Sequence, residues 1–563
     1  MHDLVITGGT VVDGTGAEPR RADVAIAGGT IAEVGPDLGA ARREIDADGL
    51  LVTPGWVDVH THYDAQVMWD SLLAPSSRHG VTTVVMGNCG VGFAPVHPDG
   101  HEWLISLMEG VEDIPAAVLG QGLPWGWESF PDYLDAVDRI PHAIDVAAQV
   151  PHAALRVYVM GERGSDHTEA ATAEEIARMG ELAADAIRAG AVGFSTSRSR
   201  NHRAADGRFT PTLTAATEEL VGIADAIGRT GRGVFEVVFD GDDLDADFAL
   251  LRRMCEISHR PMSVTTLQRM GQPPTAYRGI LQRIERAVAD GLDMRGQVAV
   301  RPVGLLMSLD SRMQPLAGSP TYQSLMPLPR EERLAALARP DVRARILEEA
   351  SVGDNPISRF PDTFDLGVPP RWDRDPDESI AAQAAQRGVR PIDVAYDILA
   401  AGGTIYAPAA DFVEGDYRAV REMLVHPLTV PGLGDAGAHC TMIADFDFPT
   451  YLLAYWARDA DPEVRLPVEW VVRRQCAETA ALVGLSDRGM LCAGMKADVN
   501  VVDLERLATS PAAMVKDLPA GGSRLFGTAR GYVATIAGGQ VTFENGEHTG
   551  ALPGRLVRGQ NHQ

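Results

Sequence analysis

Alternating apolar and polar positions mark the two ends of the chain as β-structure. Residues 1–54 contain short β-branched runs separated by Gly-Gly and Asp-Gly pairs, which are typical of hairpin turns. The same pattern returns at KADVNVVDL (496–504) and GYVATIAGGQVTFENGE (531–547). Because the chain leaves this pattern and comes back to it, we predict one small β-sandwich domain assembled from residues 1–54 and 485–563.

Between these ends, strand-like runs alternate with helical patterns. AVGFSTSRSR (191–200) and GVFEVVFDG (233–241) each precede a segment whose apolar residues recur with helical spacing. HAALRVYVMG (152–161) and TIYAPAADF (404–412) are predicted as two further strands. Roughly eight such units predict an α/β fold, a distorted (β/α)8 TIM-type barrel over residues 55–484.

Residues 305–388 interrupt this alternation. The segment is rich in proline, arginine and aspartate and is too long for a plain loop in a compact domain. It also carries Phe360, Phe364, Leu366 and Trp372, whose side chains favour burial. We therefore predict a lid or an interface arm inserted into the barrel.

Composition narrows the function classes. The 50 basic and 77 acidic residues give a formal charge of −27, which argues strongly against nucleic acid or an anionic membrane as a partner. Five cysteines, widely spaced and without a CxxC pair, predict neither a disulfide framework nor a zinc knuckle. The sequence shows neither a signal-peptide pattern nor an apolar run of about 18 residues, so the expected location is the cytoplasm.

The stretch PGWVDVHTHYDA (54–65) places His60 and His62 one residue apart after an apolar, β-branched run. Side chains two apart on a strand point to the same face, so both imidazoles are expected to converge. Such a pair is a common start for a transition-metal site. The alternative is a polar strand end in which each histidine forms only a hydrogen bond.

Active sites of barrels lie at the carboxyl ends of the strands, and this rule selects further residues. Asp435 in GLGDAGAH follows the predicted last strand, and Cys89 in GNCG follows the second. Two imidazoles and a carboxylate suit Zn²⁺ with an open position for water. From the pattern, Cys89 is either a thiolate ligand or a buried apolar cysteine, and Asp435 is either a site residue or an Asx-turn residue.

Several motifs together resemble one enzyme family. They are TPGWVDVHTHYDAQ, GVTTVVMGNCGVGFAPV, MEGVEDIP, GAVGFSTSR, GLGDAGAH and AGMKADVNVVDL, and they span nearly the whole chain. The chain resembles the amidohydrolase superfamily and, within it, the N-acyl-D-amino-acid deacylase group. The resemblance implies a metal-dependent hydrolase with a distorted barrel and a terminal β-sandwich. It also implies paired metal histidines at His60 and His62, a metal-binding Cys89 and a catalytic Asp435.

The chain departs from that group on two strands. The group places a metal histidine on its fifth and on its sixth strand, but GVFEVVFDG and PMSVTTLQR contain none. Glu236 stands at the fifth-strand position, as a ligand, a second acid–base group or a salt-bridge partner. We therefore expect one Zn²⁺ held by His60, His62 and Asp435, with Glu236 or Cys89 assisting, and a second ion is left open.

The fourth predicted strand ends in FSTSRSRNH, which carries two arginines and a histidine. Arginine forks bind carboxylates, so one interpretation is recognition of a substrate carboxylate or carbonyl, and the other is pairing with structural acidic residues. The histidine four residues after the catalytic aspartate either contacts substrate or orients that aspartate. The substrate-binding candidates are Arg198, Arg200, His202, Gln268 and His439.

These residues predict hydrolysis of a C–N amide bond in a small molecule, by a metal-activated water with Asp435 as general base and then acid. The expected substrate is an N-acyl amino acid, ideally the D-isomer. One alternative keeps the fold and cleaves a cyclic amide, a lactam or an ester. Another is a non-catalytic binding homologue. A homo-oligomer is left open.

Overall fold

The computed structural model describes residues 1–311, 313–350, 360–413 and 415–559. Positions 312 and 351–359 of the predicted arm, and the end of the predicted C-terminal segment at 560–563, lie outside the described residues. The strands are β1 (His2–Val11), β2 (Arg20–Ala27), β3 (Thr30–Gly35), β4 (Ala41–Asp46), β5 (Leu51–Pro54), β6 (Trp56–Asp58), β7 (Val81–Met86), β8 (Asp145–Pro151), β9 (Gly193–Arg198), β10 (Val234–Phe239), β11 (Met262–Thr265), β12 (Met294–Val298), β13 (Val303–Met307), β14 (Phe364–Asp365), β15 (Ile405–Ala410), β16 (Thr429–Pro431), β17 (Val499–Val502), β18 (Ala508–Thr509), β19 (Ala513–Val515), β20 (Arg524–Phe526), β21 (Ala529–Arg530), β22 (Tyr532–Ala537), β23 (Gln540–Glu544) and β24 (Glu547–His548).

The α-helices alternate with the central strands and also fill the arm. They are α1 (His101–Glu112), α2 (Ala116–Gly122), α3 (Phe130–Asp138), α4 (His152–Met160), α5 (Ala173–Ala189), α6 (Thr217–Gly228), α7 (Leu244–Ser258), α8 (Ala276–Ala289), α9 (Pro320–Leu325), α10 (Arg330–Leu337), α11 (Pro340–Glu349), α12 (Ile380–Arg387), α13 (Pro391–Ala400), α14 (Arg418–Val425), α15 (Phe448–Tyr451), α16 (Val468–Arg473) and α17 (Thr479–Leu482). Each described helix is too short or too polar to cross a bilayer.

The two ends of the chain share one sheet, as predicted. Its nine strands run in the order β24-β23-β22-β17-β5-β1-β2-β3, with β4 paired to β1. The N-terminal and C-terminal parts meet where β17 pairs antiparallel with β5, with Val501 opposite Val52. Side chains from both ends, including Ile6, Val24 and Ile536, pack into one apolar core because alternate positions of each strand face inward.

The middle of the chain forms the predicted barrel. Eight parallel strands follow one another in the order β6 to β12 and then β16. Thr61 and Ala436 form a parallel bridge just beyond β6 and β16, so the first and last strands meet at their carboxyl ends. Buried β-branched residues of these strands, including Val57, Val85 and Val234, pack together in one apolar cluster. The strand ends are therefore brought around a common opening.

One strand prediction is wrong, and a second predicted strand exists but lies outside the barrel. HAALRVYVMG is helix α4, and the third barrel strand is the preceding DVAAQVP segment, β8. A short apolar run has no periodicity that separates a strand from a buried helix. TIYAPAADF does contain a strand, β15, but it pairs antiparallel with β13 and β14 outside the barrel. Pairing partners are set by tertiary contacts, which the run itself does not encode.

The arm has a core of its own. Buried residues from Met307 to Ala407 pack together, and they include Tyr322, Ile380 and Tyr396. The unit continues past residue 388, where the sequence analysis ended it, because α12 and α13 bury their apolar faces in the same core. Barrel helix α14 follows the arm and packs on α8 and on strands β12 and β16.

Candidate active site

His60 and His62 lie directly after strand β6 rather than on it. Both are buried, and their ring centroids are 5.5 Å apart. Backbone hydrogen bonds join this segment to β7 and to the residues after β16: Thr61 N donates to Val85 O, and His62 N donates to Ala436 O. The two imidazoles therefore converge as expected, although the strand ends before them.

Cys89 joins the two histidines from the end of β7. Its Sγ lies 3.3 Å from His60 Nε2, and ligand atoms of Cys89, His60 and His62 all lie within 4.8 Å of one another. Burial raises the pKa of the Cys89 thiol well above its usual value, and the negative charges of Glu236 and Glu112 raise it further. A bound cation would reverse this tendency, because a metal-bound thiol loses its proton.

Asp435 faces the same point from the end of β16. Its Oδ1 lies 3.3 Å from His60 Nε2 and 3.6 Å from His62 Nε2, and it is buried without a hydrogen-bond partner among the described residues. Burial alone would raise the pKa of Asp435, but the neighbouring histidines, His62 first, outweigh it and hold the pKa well below its usual range. Imidazole, thiolate and carboxylate form a donor set that fits zinc.

Glu236 on β10 is held by the backbone beside this cluster. Its Oε2 accepts a hydrogen bond from Cys89 N at 3.0 Å, whereas its Oε1 is buried without a hydrogen-bond partner among the described residues. Burial raises the pKa of Glu236 to about 7. The Glu236 carboxyl group therefore holds the backbone at Cys89. It is not among the three residues, His60, His62 and Cys89, whose ligand atoms lie within 4.8 Å of one another.

Glu112 and His439 lie beside this cluster. Glu112 was not predicted as a site residue. Glu112 Oε1 lies 3.4 Å from His62 Nδ1, and Glu112 Oε2 lies 3.8 Å from His439 Nε2. His439 Nε2 also lies 3.8 Å from Asp435 Oδ2. The only sequence signal was MEGVEDIP, a motif used for the resemblance but given no chemical role.

Known proteins are similar to this chain over most of its length. Residues 43–543 match the model of the Amidohydrolase family. This chain belongs to the amidohydrolase family. A D-aminoacylase of Alcaligenes xylosoxydans xylosoxydans is 30% identical over 512 residues, which are 89% of this chain and 88% of the relative. The protein is thus a hydrolase that acts on carbon–nitrogen bonds other than peptide bonds.

Solved structures agree with this assignment. A crystal structure of D-aminoacylase superimposes with a TM-score of 0.65 and 25% identity, covering 99% of this chain and all of the other. The N-acyl-D-glutamate deacylase of Bordetella bronchiseptica, complexed with zinc and a phosphonate inhibitor, gives the same TM-score and identity and covers 99% of each chain.

The predicted substrate-binding residues of this amidohydrolase fall into two groups. His202 lies near the cluster: its Nδ1 is 2.7 Å from Ser197 Oγ, and burial together with the charges of His439, His62 and Arg269 lowers its pKa to about 3. The other group is Arg198, Arg200 and Gln268, and each of these side chains bonds another part of the protein.

Arg198 alternates with Ser197 on β9, so the two side chains point to opposite faces of the sheet. Arg198 Nη1 donates to Ala215 O at 2.9 Å. Burial lowers the pKa of Arg198, and the charge of Asp247 on helix α7 opposes this. The sequence prediction for Arg198 is therefore not supported, since residue parity on a strand decides the face.

Arg200 and Gln268 are also engaged away from the cluster. Arg200 is exposed and pairs with Asp240 and Asp242. The Gln268 amide donates to the backbone oxygens of Arg269 and Pro273 and therefore supports its own loop. The pairing of Arg200 with two acidic residues is the alternative that the sequence left open for the arginines, whereas Arg198 bonds a backbone oxygen.

Proposed function

We propose that this amidohydrolase cleaves the amide bond of an N-acyl amino acid, with one zinc ion held by His60, His62 and Cys89 and with Asp435 beside the position left for water. The observation that carries the proposal is the convergence of two imidazole nitrogens, a thiol and a partnerless carboxylate oxygen at one buried point. A zinc ion there would act as a Lewis acid and lower the pKa of the attacking water. The similar Bordetella deacylase is a zinc complex, which supports the choice of metal.

Asp435 is the proposed proton carrier. Its side chain is 21% exposed, whereas those of His60 and His62 are almost fully buried, so Asp435 is the group of this set that a substrate amide can reach. Its carboxylate takes a proton from the attacking water and then gives it to the leaving nitrogen. His439, 3.8 Å from Asp435 Oδ2, holds the other side of that carboxylate.

Arg269 is the proposed partner of the substrate carboxylate. It lies at the carboxyl end of β11, and its charge lowers the pKa of His202 beside the cluster. Its Nη2 donates to Phe239 O at 2.7 Å and lies 3.5 Å from Asp240. A guanidinium so fixed presents its remaining N–H groups to a carboxylate.

The test combines metal analysis with a substrate panel. Protein prepared without added metal should contain one zinc per chain. It should hydrolyse N-acyl-D-amino acids faster than their L-isomers, and a chelator should abolish turnover. Asp435→Asn should lower kcat/KM by about 10²–10⁴-fold, whereas Asp206→Asn on an exposed loop should not. Turnover that survives chelation in a zinc-free protein would refute the proposal, and so would full activity of Asp435→Asn.

A further inference from the structure

A hydrogen-bond chain crosses three neighbouring barrel strands beneath His60. Gln297 Oε1 on β12 lies 2.8 Å from His60 Nδ1, and Gln297 Nε2 donates to Ser263 Oγ on β11 at 2.9 Å. Ser263 Oγ in turn donates to Phe235 O on β10 at 3.4 Å. All four residues are buried, so water does not compete for these groups.

The direction of the chain is fixed at its far end. The backbone oxygen of Phe235 can only accept, so the Ser263 hydroxyl donates to it and accepts from Gln297 Nε2. The Gln297 amide is thereby oriented with Oε1 towards His60. An amide oxygen can only accept, so His60 Nδ1 carries a proton and donates it to Gln297 Oε1.

We propose that Gln297 is a positioning residue that keeps a proton on His60 Nδ1 and turns His60 Nε2 towards the point where Cys89 and Asp435 converge. Nε2 is the nitrogen that lies 3.3 Å from both Cys89 Sγ and Asp435 Oδ1. The metal-related part of this inference rests on the proposed function. The proton position does not, because the hydrogen-bond chain is a property of the protein alone.

No amide side chain among the described residues accepts a hydrogen bond from His62 in the way that Gln297 does from His60. His62 Nδ1 is buried without a hydrogen-bond partner among the described residues, and the nearest acidic oxygen, Glu112 Oε1, is 3.4 Å away. The two histidines are therefore held differently: a neutral amide fixes His60, and a carboxylate lies beside His62. We expect a change at Gln297 to affect His60 alone.

The first experiment measures the proton position in metal-free protein labelled with ¹⁵N-histidine. The wild type should show a His60 resonance protonated at Nδ1, assigned by its loss in His60→Gln. Gln297→Glu keeps an acceptor and should retain this signal, whereas Gln297→Met should lose it. Gln149→Met is the matched control, because Gln149 is equally buried on β8 but bonds Asn88, and its amide oxygen accepts nothing from a histidine.

The second experiment measures zinc affinity by competition with a chelator. Gln297→Met should bind zinc about 10–100-fold more weakly, and Gln297→Glu should restore most of the affinity. An unchanged Nδ1 signal in Gln297→Met would overturn the inference, as would equal losses in Gln297→Met and Gln149→Met. If the wild type binds no zinc, the proposed function fails, while the resonance experiment still decides the role of Gln297.

Discussion

At the scale of single residues, three residues of the site have left-handed backbone conformations. Cys89, Asp435 and His439 have φ values of 56°, 46° and 51°. Residues other than glycine rarely adopt this left-handed region, at a cost of order 1 kcal/mol each. The surrounding contacts hold them there: Cys89 N donates to Glu236, and Ala436, next to Asp435, bridges to Thr61. This backbone turns three side chains towards one point.

Arg269 and Arg198 give a matched test of substrate binding. Arg269→Met removes the proposed partner of the substrate carboxylate and should raise KM for an N-acyl amino acid about 10–100-fold, because a charge-assisted hydrogen bond contributes about 1.5–3 kcal/mol. Arg198→Met should leave KM unchanged, since its guanidinium bonds Ala215 O on the other side of β9. Steady-state kinetics decides between them, and equal effects of both variants would contradict the assignment.

At the scale of elements, a buried charge cluster joins the start of β8 to the C-terminal segment. Asp145 Oδ2 lies 2.6 Å from Arg488 Nη1 and 2.9 Å from Lys496 Nζ, and Asp145 Oδ1 accepts from Arg555 N. Burial alone would raise the pKa of Asp145, but the charges of Lys496 and Arg488 outweigh it and lower the pKa. The carboxylate therefore binds protons more weakly in the folded than in the unfolded state.

This cluster predicts a pH dependence of the free energy of unfolding. A carboxylate whose pKa is lowered on folding stabilises the protein fully above its unfolded pKa, about 3.9, and the stabilisation is lost as pH falls towards the folded pKa. Asp145→Asn should remove this acid dependence and lower the free energy of unfolding by about 1.5–3 kcal/mol, because it removes charge-assisted hydrogen bonds, while Arg488 keeps Asp487 and Lys496 keeps Asp498 as partners.

Asp135→Asn is the control for that prediction. Asp135 is an exposed partner of Arg558, and loss of a surface pair should change the free energy of unfolding by less than about 1 kcal/mol. Denaturant unfolding at pH 7 and pH 3 measures both variants. An acid-sensitive Asp145→Asn protein as stable as the wild type would disprove the role of the cluster.

At the scale of the whole molecule, a buried arginine lies at the junction of the arm and the barrel. Arg301 follows barrel strand β12 and bonds Asp445 at 2.6 Å and Asp447 at 2.8 Å. Its guanidinium lies 3.5 Å from the ring centroid of Trp372, which belongs to the arm. Arg301 thus connects the barrel, the arm and the segment that follows the Asp435 loop.

Arg301→Met should loosen this junction. We expect the free energy of unfolding to fall by about 3–5 kcal/mol, since two buried carboxylates lose their partner, and limited proteolysis within residues 303–410 to become faster. Arg343→Met, a half-exposed arm arginine that pairs with Asp397, should change neither result appreciably. Unaltered protease resistance of Arg301→Met would show that the arm is held by other contacts.

The sequence by itself determined the fold class, the pairing of both termini in one sheet, and the convergence of His60 and His62, while Cys89 and Asp435 were candidates whose roles the family resemblance implied. Periodicity and strand-end position are local features, so short motifs could predict them. Tertiary structure alone placed Glu112 and Gln297 behind the histidines and turned Arg198 away. Those contacts join residues far apart in the chain, and each depends on which strands pair and on which face of a strand a side chain lies.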